Sequence, residues 1–268
     1  MSAQPQDLPN AEPLVLEDRK DGVLTLTMNR PKQYNALSEG LLASLTDALE
    51  RAGDDATVRV VVLAGAGKAF CAGHDLKEMR GQPRKDYYQT LFAACSRLML
   101  AITRIPQPVI ARIHGIATAA GCQLVAQCDM AVTVEEARFA TSGINAGLFC
   151  STPAVPVTRN LPRKRAFELL FTGDFIDAQT AADWGLVNRV VPADQLDEAV
   201  DALAQRIVAK SAVAVATGKR MVYNQLEKGM AEAYDYAAEA MACNMMSEDV
   251  GEGIDAFIEK RHPVWRHR

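Results

Sequence analysis

Apolar and polar residues alternate along Val23-Leu-Thr-Leu-Thr-Met28. With Leu14–Glu17 before them, they predict two short strands turned at Asp21-Gly22. The spacing then becomes helical. Leu41, Leu42, Leu45 and Leu49 recur at helix intervals behind Ser38, a good capping residue, and the pattern stops at Gly53. Val58 to Leu63 is apolar apart from Arg59, as expected for a strand buried on both faces, and the Ala-Gly-rich run from Ala64 to Gly73 ends it. Asp86 to Thr103 predicts a long helix, closed before Pro106 and Pro108. Val109–Ile113 and Met130–Val134 read as strands flanking a short helix of small residues at Ala119–Gln127.

This alternation predicts an α/β core over residues 14–193, preceded by a loose tail over 1–13. From Asp194, just past Pro192, the pattern is helical. Val200, Leu203 and Ile207 share one helix face, and an Ala- and Met-rich stretch covers residues 230–246. Residues 194–268 are therefore expected as a helical appendage to one α/β domain. No repeat of solenoid type is present.

Composition narrows the function. Lys and Arg number 29 against 33 acids, a net charge of −4, which gives no electrostatic footprint for nucleic acid but leaves room for a local basic pocket. No run of 18 apolar residues occurs, so no membrane-spanning helix is expected. Cys71, Cys95, Cys122, Cys128, Cys150 and Cys243 are scattered, with no CxxC pair, and fit neither a zinc site nor a disulfide framework. The first 13 residues hold no Lys or Arg, which argues against a mitochondrial transit peptide, and they do not resemble a secretory signal. The expectation is a soluble protein of a reducing compartment, the cytoplasm.

Several chemical motifs fail on inspection. Gly65-Ala-Gly67-Lys-Ala-Phe70 follows a strand but has Phe70 at the third glycine position and no Gly-Lys-Ser/Thr, so a plain turn is the better reading. His114 follows an apolar strand and suits packing or hydrogen bonding. Cys150-Ser151-Thr152 lacks an evident base and reads equally as a turn. No metal-ligand spacing is found. More informative are Ala69-Phe-Cys-Ala-Gly-His-Asp-Leu-Lys-Glu-Met79 and His114–Asp129, each after a strand. Small residues there let the backbone approach a ligand, and a helix starting near Ala119 presents free N–H groups. Two N–H groups from different loops make an oxyanion hole; close helix–sheet packing is the alternative.

Together these segments resemble the crotonase (enoyl-CoA hydratase/isomerase) superfamily from about residue 14 to the end. The matching motifs are Asn29-Arg-Pro-Lys-Gln-Tyr-Asn-Ala-Leu37, Ala69–Met79, Ala119–Asp129, Phe171-Thr-Gly173, Trp184-Gly-Leu-Val-Asn188 and Phe257-Ile-Glu-Lys-Arg261. Ala119-Ala-Gly-Cys-Gln123 with Gly147-Leu-Phe-Cys-Ser-Thr-Pro153 is most similar to the branch called enoyl-CoA hydratase domain-containing protein 3. The resemblance implies an α/β crotonase fold, a spiral of ββα units, with a C-terminal helical region that forms trimers or dimers of trimers. It implies an acyl-CoA thioester as ligand and no cofactor beyond the CoA of the substrate. The thioester oxygen would be held by the backbone N–H groups of His74 and Ala120. CoA contacts would fall on Lys32, Ala36, Lys68, Asp75, Leu76 and Lys77. Phe257 and Lys260 match positions that reach a neighbouring subunit's CoA.

The chain also departs from the hydratase pattern. The two glutamates that move water and its proton fall here on Gln123 and Gly143. Gln123 hydrogen-bonds water but cannot accept its proton, and Gly143 has no side chain. Such groups contribute about 10²–10⁴ each. Replacement acids or bases are sought among Asp75, Glu78, Cys150, Ser151 and the imidazole of His74. Three readings follow: an acyl-CoA enzyme with another acid or base, an acyl-CoA-binding protein without turnover, and a weak enoyl-CoA hydratase.

Overall fold

The computed structural model describes residues 12–268. Most of the tail expected over 1–13 thus lies outside the described residues.

β1 (Val15–Lys20) and β2 (Val23–Met28) pair antiparallel around Asp21, whose φ of +48° and the +79° of Gly22 make the tight turn. β2 buries every second residue, as its alternation predicts. α1 (Glu39–Asp54) starts at Ser38, whose hydroxyl accepts the N–H of Leu41, and buries Leu41, Leu42, Leu45 and Leu49. β3 (Val60–Gly65) is buried at all six positions. β4 (Ala69–Cys71) follows, inside the run expected only to end β3. Next come α2 (Leu76–Gly81), α3 (Lys85–Arg104), β5 (Val109–Ile113), β6 (Ile116–Thr118), α4 (Ala120–Gln127), β7 (Met130–Val134) and β8 (Arg138–Ala140). α5 (Ser151–Asn160), α6 (Arg163–Thr172), β9 (Ile176–Asp177), α7 (Ala178–Asp183) and β10 (Arg189–Val191) complete the core strands.

The pairing explains the spiral. One sheet has the order β1-β2-β3-β5-β7-β10, parallel from β2 onward; the other has β4-β6-β8-β9. Each turn of chain gives one strand to each sheet: β3 and β4, β5 and β6, β7 and β8. Consecutive strands therefore lie in different layers, and the loop leaving each small strand emerges on one side of the spiral.

α8 (Leu196–Val208) buries Leu196, Val200 and Ala204 against β3, β5 and β7. α9 (Ala212–Gln225), α10 (Met230–Met245) and α11 (Glu248–Glu259) follow. Neither α9 nor α10 buries a residue, and Met230, Tyr234, Met241 and Met245 of α10 lie more than half exposed. One buried link ties this layer to the core: Lys219 Nζ lies 2.8 Å from Asp129 Oδ2 and donates to the carbonyls of Ile102 and Gln107. Tyr223 donates to the other Asp129 oxygen.

Candidate active site

The loops after β4 and β6 meet on one side of the spiral. Leu37, before α1, forms a parallel bridge with His74. The Leu37 N–H donates to the Gly73 carbonyl at 2.7 Å, and the Asp75 N–H donates to the Leu37 carbonyl at 3.1 Å. A trans peptide points its C=O and N–H in opposite directions, and no cis bond is present among the described residues. Fixing the Gly73 carbonyl on Leu37 therefore turns the His74 N–H away from that strand. Among the described residues this N–H has no acceptor.

The second group comes from Ala119, which has φ +51° and ψ −119°, a strained backbone for a non-glycine residue. Its N–H is held by the Ala140 carbonyl at 2.9 Å. α4 begins at the next residue without a side-chain cap, so the Ala120 N–H is one of the free donors of a helix start. Gly73 brings the two loops together. Its φ is +91°, and a β-carbon there would lie 2.8 Å from Ala119 Cβ and 3.2 Å from Ala120 N. On Gly121 a β-carbon would lie 2.0 Å from the Cys71 carbonyl, so α4 rests directly on β4. The result is two uncommitted N–H groups on touching loops, one at the positive end of a helix, and donors of this kind can serve an oxygen that carries negative charge.

Two residues whose roles the sequence reading left unassigned hold this arrangement. Asn35, fully buried with φ +54°, accepts the Arg30 N–H and donates to the carbonyls of Ala66 and Ala69. The Arg30 guanidinium reaches the Ala36 carbonyl and, at 3.0 Å, Asp75 Oδ2. The other Asp75 oxygen accepts the N–H groups of Lys77 and Glu78 and caps α2. Burial pushes the Asp75 carboxyl up, and Arg30 with the two N–H groups outweighs it, leaving the pKa below the usual carboxylate range. Both Asp75 oxygens are thus engaged. Glu78 is engaged too, accepting the Glu39 N–H at 3.0 Å. The polar positions Arg30 and Asn35 inside the Asn29–Leu37 motif were the available signal.

α3 forms one wall beside these donors. The His74 ring stands edge-on to Phe92, centroids 5.4 Å apart, and Cys95 Sγ lies 3.9 Å from Gln123 Oε1. Phe92 and Cys95 share a helix face, so His74 and Gln123 meet the same wall. Burial pushes the His74 pKa down to about 4, so the ring is neutral near pH 7. Gln123 is 3% exposed. Gly143 leaves no open space: a β-carbon there would sit 2.7 Å from the Leu148 carbonyl and 2.8 Å from Cys150 Sγ. The loop between them folds back into the space a larger residue would need.

Cys150 precedes α5 and is buried; burial raises its thiol pKa, partly offset by a hydrogen bond from the Gly143 backbone. Ser151 is exposed, and its hydroxyl lies 3.4 Å from the Phe149 carbonyl. Among the described residues neither has a hydrogen-bonded imidazole or carboxylate, so neither is set up as a nucleophile. His114 Nε2 contacts the Gly67 carbonyl at 2.9 Å, a bracing role.

Lys32 and Lys68 occupy neighbouring exposed turns, since a β-carbon on Gly67 would lie 2.6 Å from Pro31 Cβ. Ala36, Leu76 and Lys77 flank the same bridge. Phe257, 85% exposed, and Lys260 lie apart on and just after α11. Among the described residues no group of His, Cys, Asp and Glu is arranged to hold a metal ion, and no helix is long and apolar enough to cross a membrane.

Comparison with known proteins agrees with this architecture. The enoyl-CoA hydratase/isomerase family matches residues 18–268. The mitochondrial enoyl-CoA hydratase domain-containing protein 3 of Rattus norvegicus is 44% identical over 267 residues, covering 99% of this chain and 89% of the relative. A crystal structure of enoyl-CoA hydratase from Mycobacterium smegmatis superposes with a TM-score of 0.93 at 58% identity, covering 95% of this chain and 99% of that one. The crystal structure of human enoyl-CoA hydratase domain-containing protein 3 gives 0.91 at 42% identity, over 94% and 100%. These relatives correct one expectation. Those from rat, frog, mouse and human are named mitochondrial, so the cytoplasmic location does not stand. It rested on the scattered cysteines and on the lack of a secretory signal and of basic residues in the first 13, absences that identify no compartment. The fold and sequence together place the chain in the enoyl-CoA hydratase/isomerase family, with the crotonase fold.

Proposed function

We propose that this protein binds an acyl-CoA thioester and stabilises its enolate through the backbone N–H groups of His74 and Ala120. The observation that carries the reading is the pair of uncommitted donors on touching loops, with Gly73 at the contact. Reactions at the carbons next to a thioester pass through an enolate, and removing one such donor costs about 10²–10³ in rate. Lys32, Lys68 and Lys77 supply positive charge for the phosphates, with Ala36 and Leu76 beside them. CoA is then part of the substrate, and no separate cofactor is required. The exposed Met-rich face of α10 is the surface for trimer formation, in a trimer or a dimer of trimers, and Phe257 and Lys260, on and just after α11, reach the CoA of a neighbouring subunit.

Addition of water to 2-enoyl-CoA is the family reaction, but it is slow here. Gln123 cannot take a proton, and Gly143 has no room for a side chain that could. This favours a second reading, acyl-CoA binding without turnover. Calorimetric titration of crotonyl-CoA, with product followed by mass spectrometry, tests both. Saturable binding with slow product supports the weak hydratase, and binding with none supports the second reading. No binding removes the proposal.

A further inference from the structure

The chain crosses from the large sheet to the small one at two neighbouring places. Ala66-Gly-Lys68 joins β3 to β4, and His114-Gly115 joins β5 to β6. The two connections touch. His114 Nε2 lies 2.9 Å from the Gly67 carbonyl oxygen, and a β-carbon on Gly115 would stand 2.5 Å from the Lys68 carbonyl oxygen. On its other side Gly67, at φ +79°, rests on Pro31, the residue before Lys32. The Gly67–Lys68 turn is therefore clasped between the connection carrying His114 and the segment carrying Lys32.

The carbonyl acceptor fixes the tautomer of the ring. Nε2 carries the proton, while Nδ1, shielded and without a partner among the described residues, keeps the lone pair. Burial pushes the pKa of His114 down, the Gly67 bond opposes this and the Arg112 charge adds to it, so the ring is neutral near pH 7. Among the described residues no other side chain bonds to Gly67 or Lys68. The bonded carbonyl belongs to the peptide leading into Lys68, whose N–H points the opposite way. Holding that peptide sets where the Lys68 side chain leaves the turn. Lys68 and Lys32 are both exposed, and neither makes an ion pair among the described residues.

We propose that His114 is a positioning residue for CoA binding: its ring N–H holds the Gly67–Lys68 peptide so that the Lys68 ammonium group meets a phosphate of the ligand. The inference rests on the thioester reading above and concerns the CoA end of that ligand. The ring acts through Lys68 rather than on the reacting atoms. A lysine on a loose turn must lose backbone as well as side-chain freedom to meet a phosphate. On a turn already held by His114, only the side chain remains to be ordered, and less of the attraction is lost.

Calorimetric titration of butyryl-CoA into the full chain tests this, using the wild type, His114→Phe, Lys68→Ala and the double variant. His114→Phe keeps an aromatic ring, removes the donor and is expected to weaken binding about tenfold, the effect of one well-made hydrogen bond. Lys68→Ala is expected to weaken it at least as much. Adding His114→Phe to Lys68→Ala is expected to change nothing further, whereas a merely structural role would cost affinity in both backgrounds. His114→Gln, whose amide N–H reaches as far as the ring, is expected to restore most of the affinity. His114→Asn, whose amide ends short of the Gly67 carbonyl, supplies the same comparison if His114→Phe does not fold. Wild-type affinity in His114→Phe, a loss that persists in the Lys68→Ala background, or no rescue by His114→Gln would overturn the role of His114 while leaving the thioester site intact. No binding of butyryl-CoA by the wild type would overturn both.

Discussion

The Arg30 guanidinium lies 3.0 Å from the carboxylate of Asp75, the residue that follows His74, and both side chains are largely shielded from water, at 16% and 12% exposure. The pair spans the two segments that form the Leu37–His74 bridge and fixes the peptide that carries the first free N–H. Arg30→Ala leaves the Asp75 carboxylate without its charged partner and is expected to destabilise the protein by about 2 kcal/mol, read by urea unfolding. Thioester binding is expected to weaken as well. A variant with native stability and affinity would show that α2 capping alone holds the loop.

Gly73→Ala tests the contact between the loops. Its new methyl meets Ala119 Cβ at 2.8 Å in a backbone conformation that side chains rarely adopt. The two donors move apart, and turnover of any thioester substrate is expected to fall by about 10²–10³. Unchanged kinetics would mean that the donors do not act on the reacting oxygen.

Restoring a carboxylate is feasible at one position only. Gln123→Glu changes one amide to an acid with little change in volume and is expected to raise crotonyl-CoA hydration by about 10². Gly143→Glu drives a side chain into the Leu148 carbonyl and Cys150 Sγ. Even Gly143→Ala is expected to cost about 1–3 kcal/mol, seen as a lowered Tm. A Gly143→Glu protein as stable as the wild type would show that this loop opens readily.

The folded-state pKa of His74, about 4, lies below the ordinary value of 6.5 because the ring is buried. The unfolded chain therefore binds a proton in the window between them while the folded chain does not. Stability from this residue is full above about 6.5 and is lost as pH falls towards 4. Asp75 acts in the same direction at lower pH, since its depressed pKa makes the folded state favour the carboxylate. NMR titration is expected to show the His74 ring unchanged from pH 8 to pH 5.5. Titration near 6.5 would mean that the ring is open to water.

The regular elements were legible because their periodicity is long: α1 behind Ser38, the all-buried β3, and α3 ahead of Pro106. β4 was not, since Ala69–Cys71 is too short to show a period and lies in an Ala-Gly run. α5 was hidden because Pro153 and Pro156 interrupt its helical signal, although it runs from Ser151 to Asn160. The candidate site was legible chiefly through resemblance. The proposed backbone donors at His74 and Ala120 leave no mark on residue type, and only small neighbours such as Gly73 hint at them. The closed space beside Gly143 was unreadable because it is filled by the same loop folding back. Arg30 and Asp75 are 45 positions apart and meet only in the fold.

The most direct test is infrared difference spectroscopy of crotonyl-CoA labelled with ¹³C at the thioester carbon, free and bound to the wild-type protein. Two N–H groups on the thioester oxygen polarise the carbonyl, and its stretch is expected at clearly lower wavenumber when bound, with the shift reduced in Gly73→Ala. A saturably bound thioester whose carbonyl stretch matches that in water would contradict an oxygen held by His74 and Ala120.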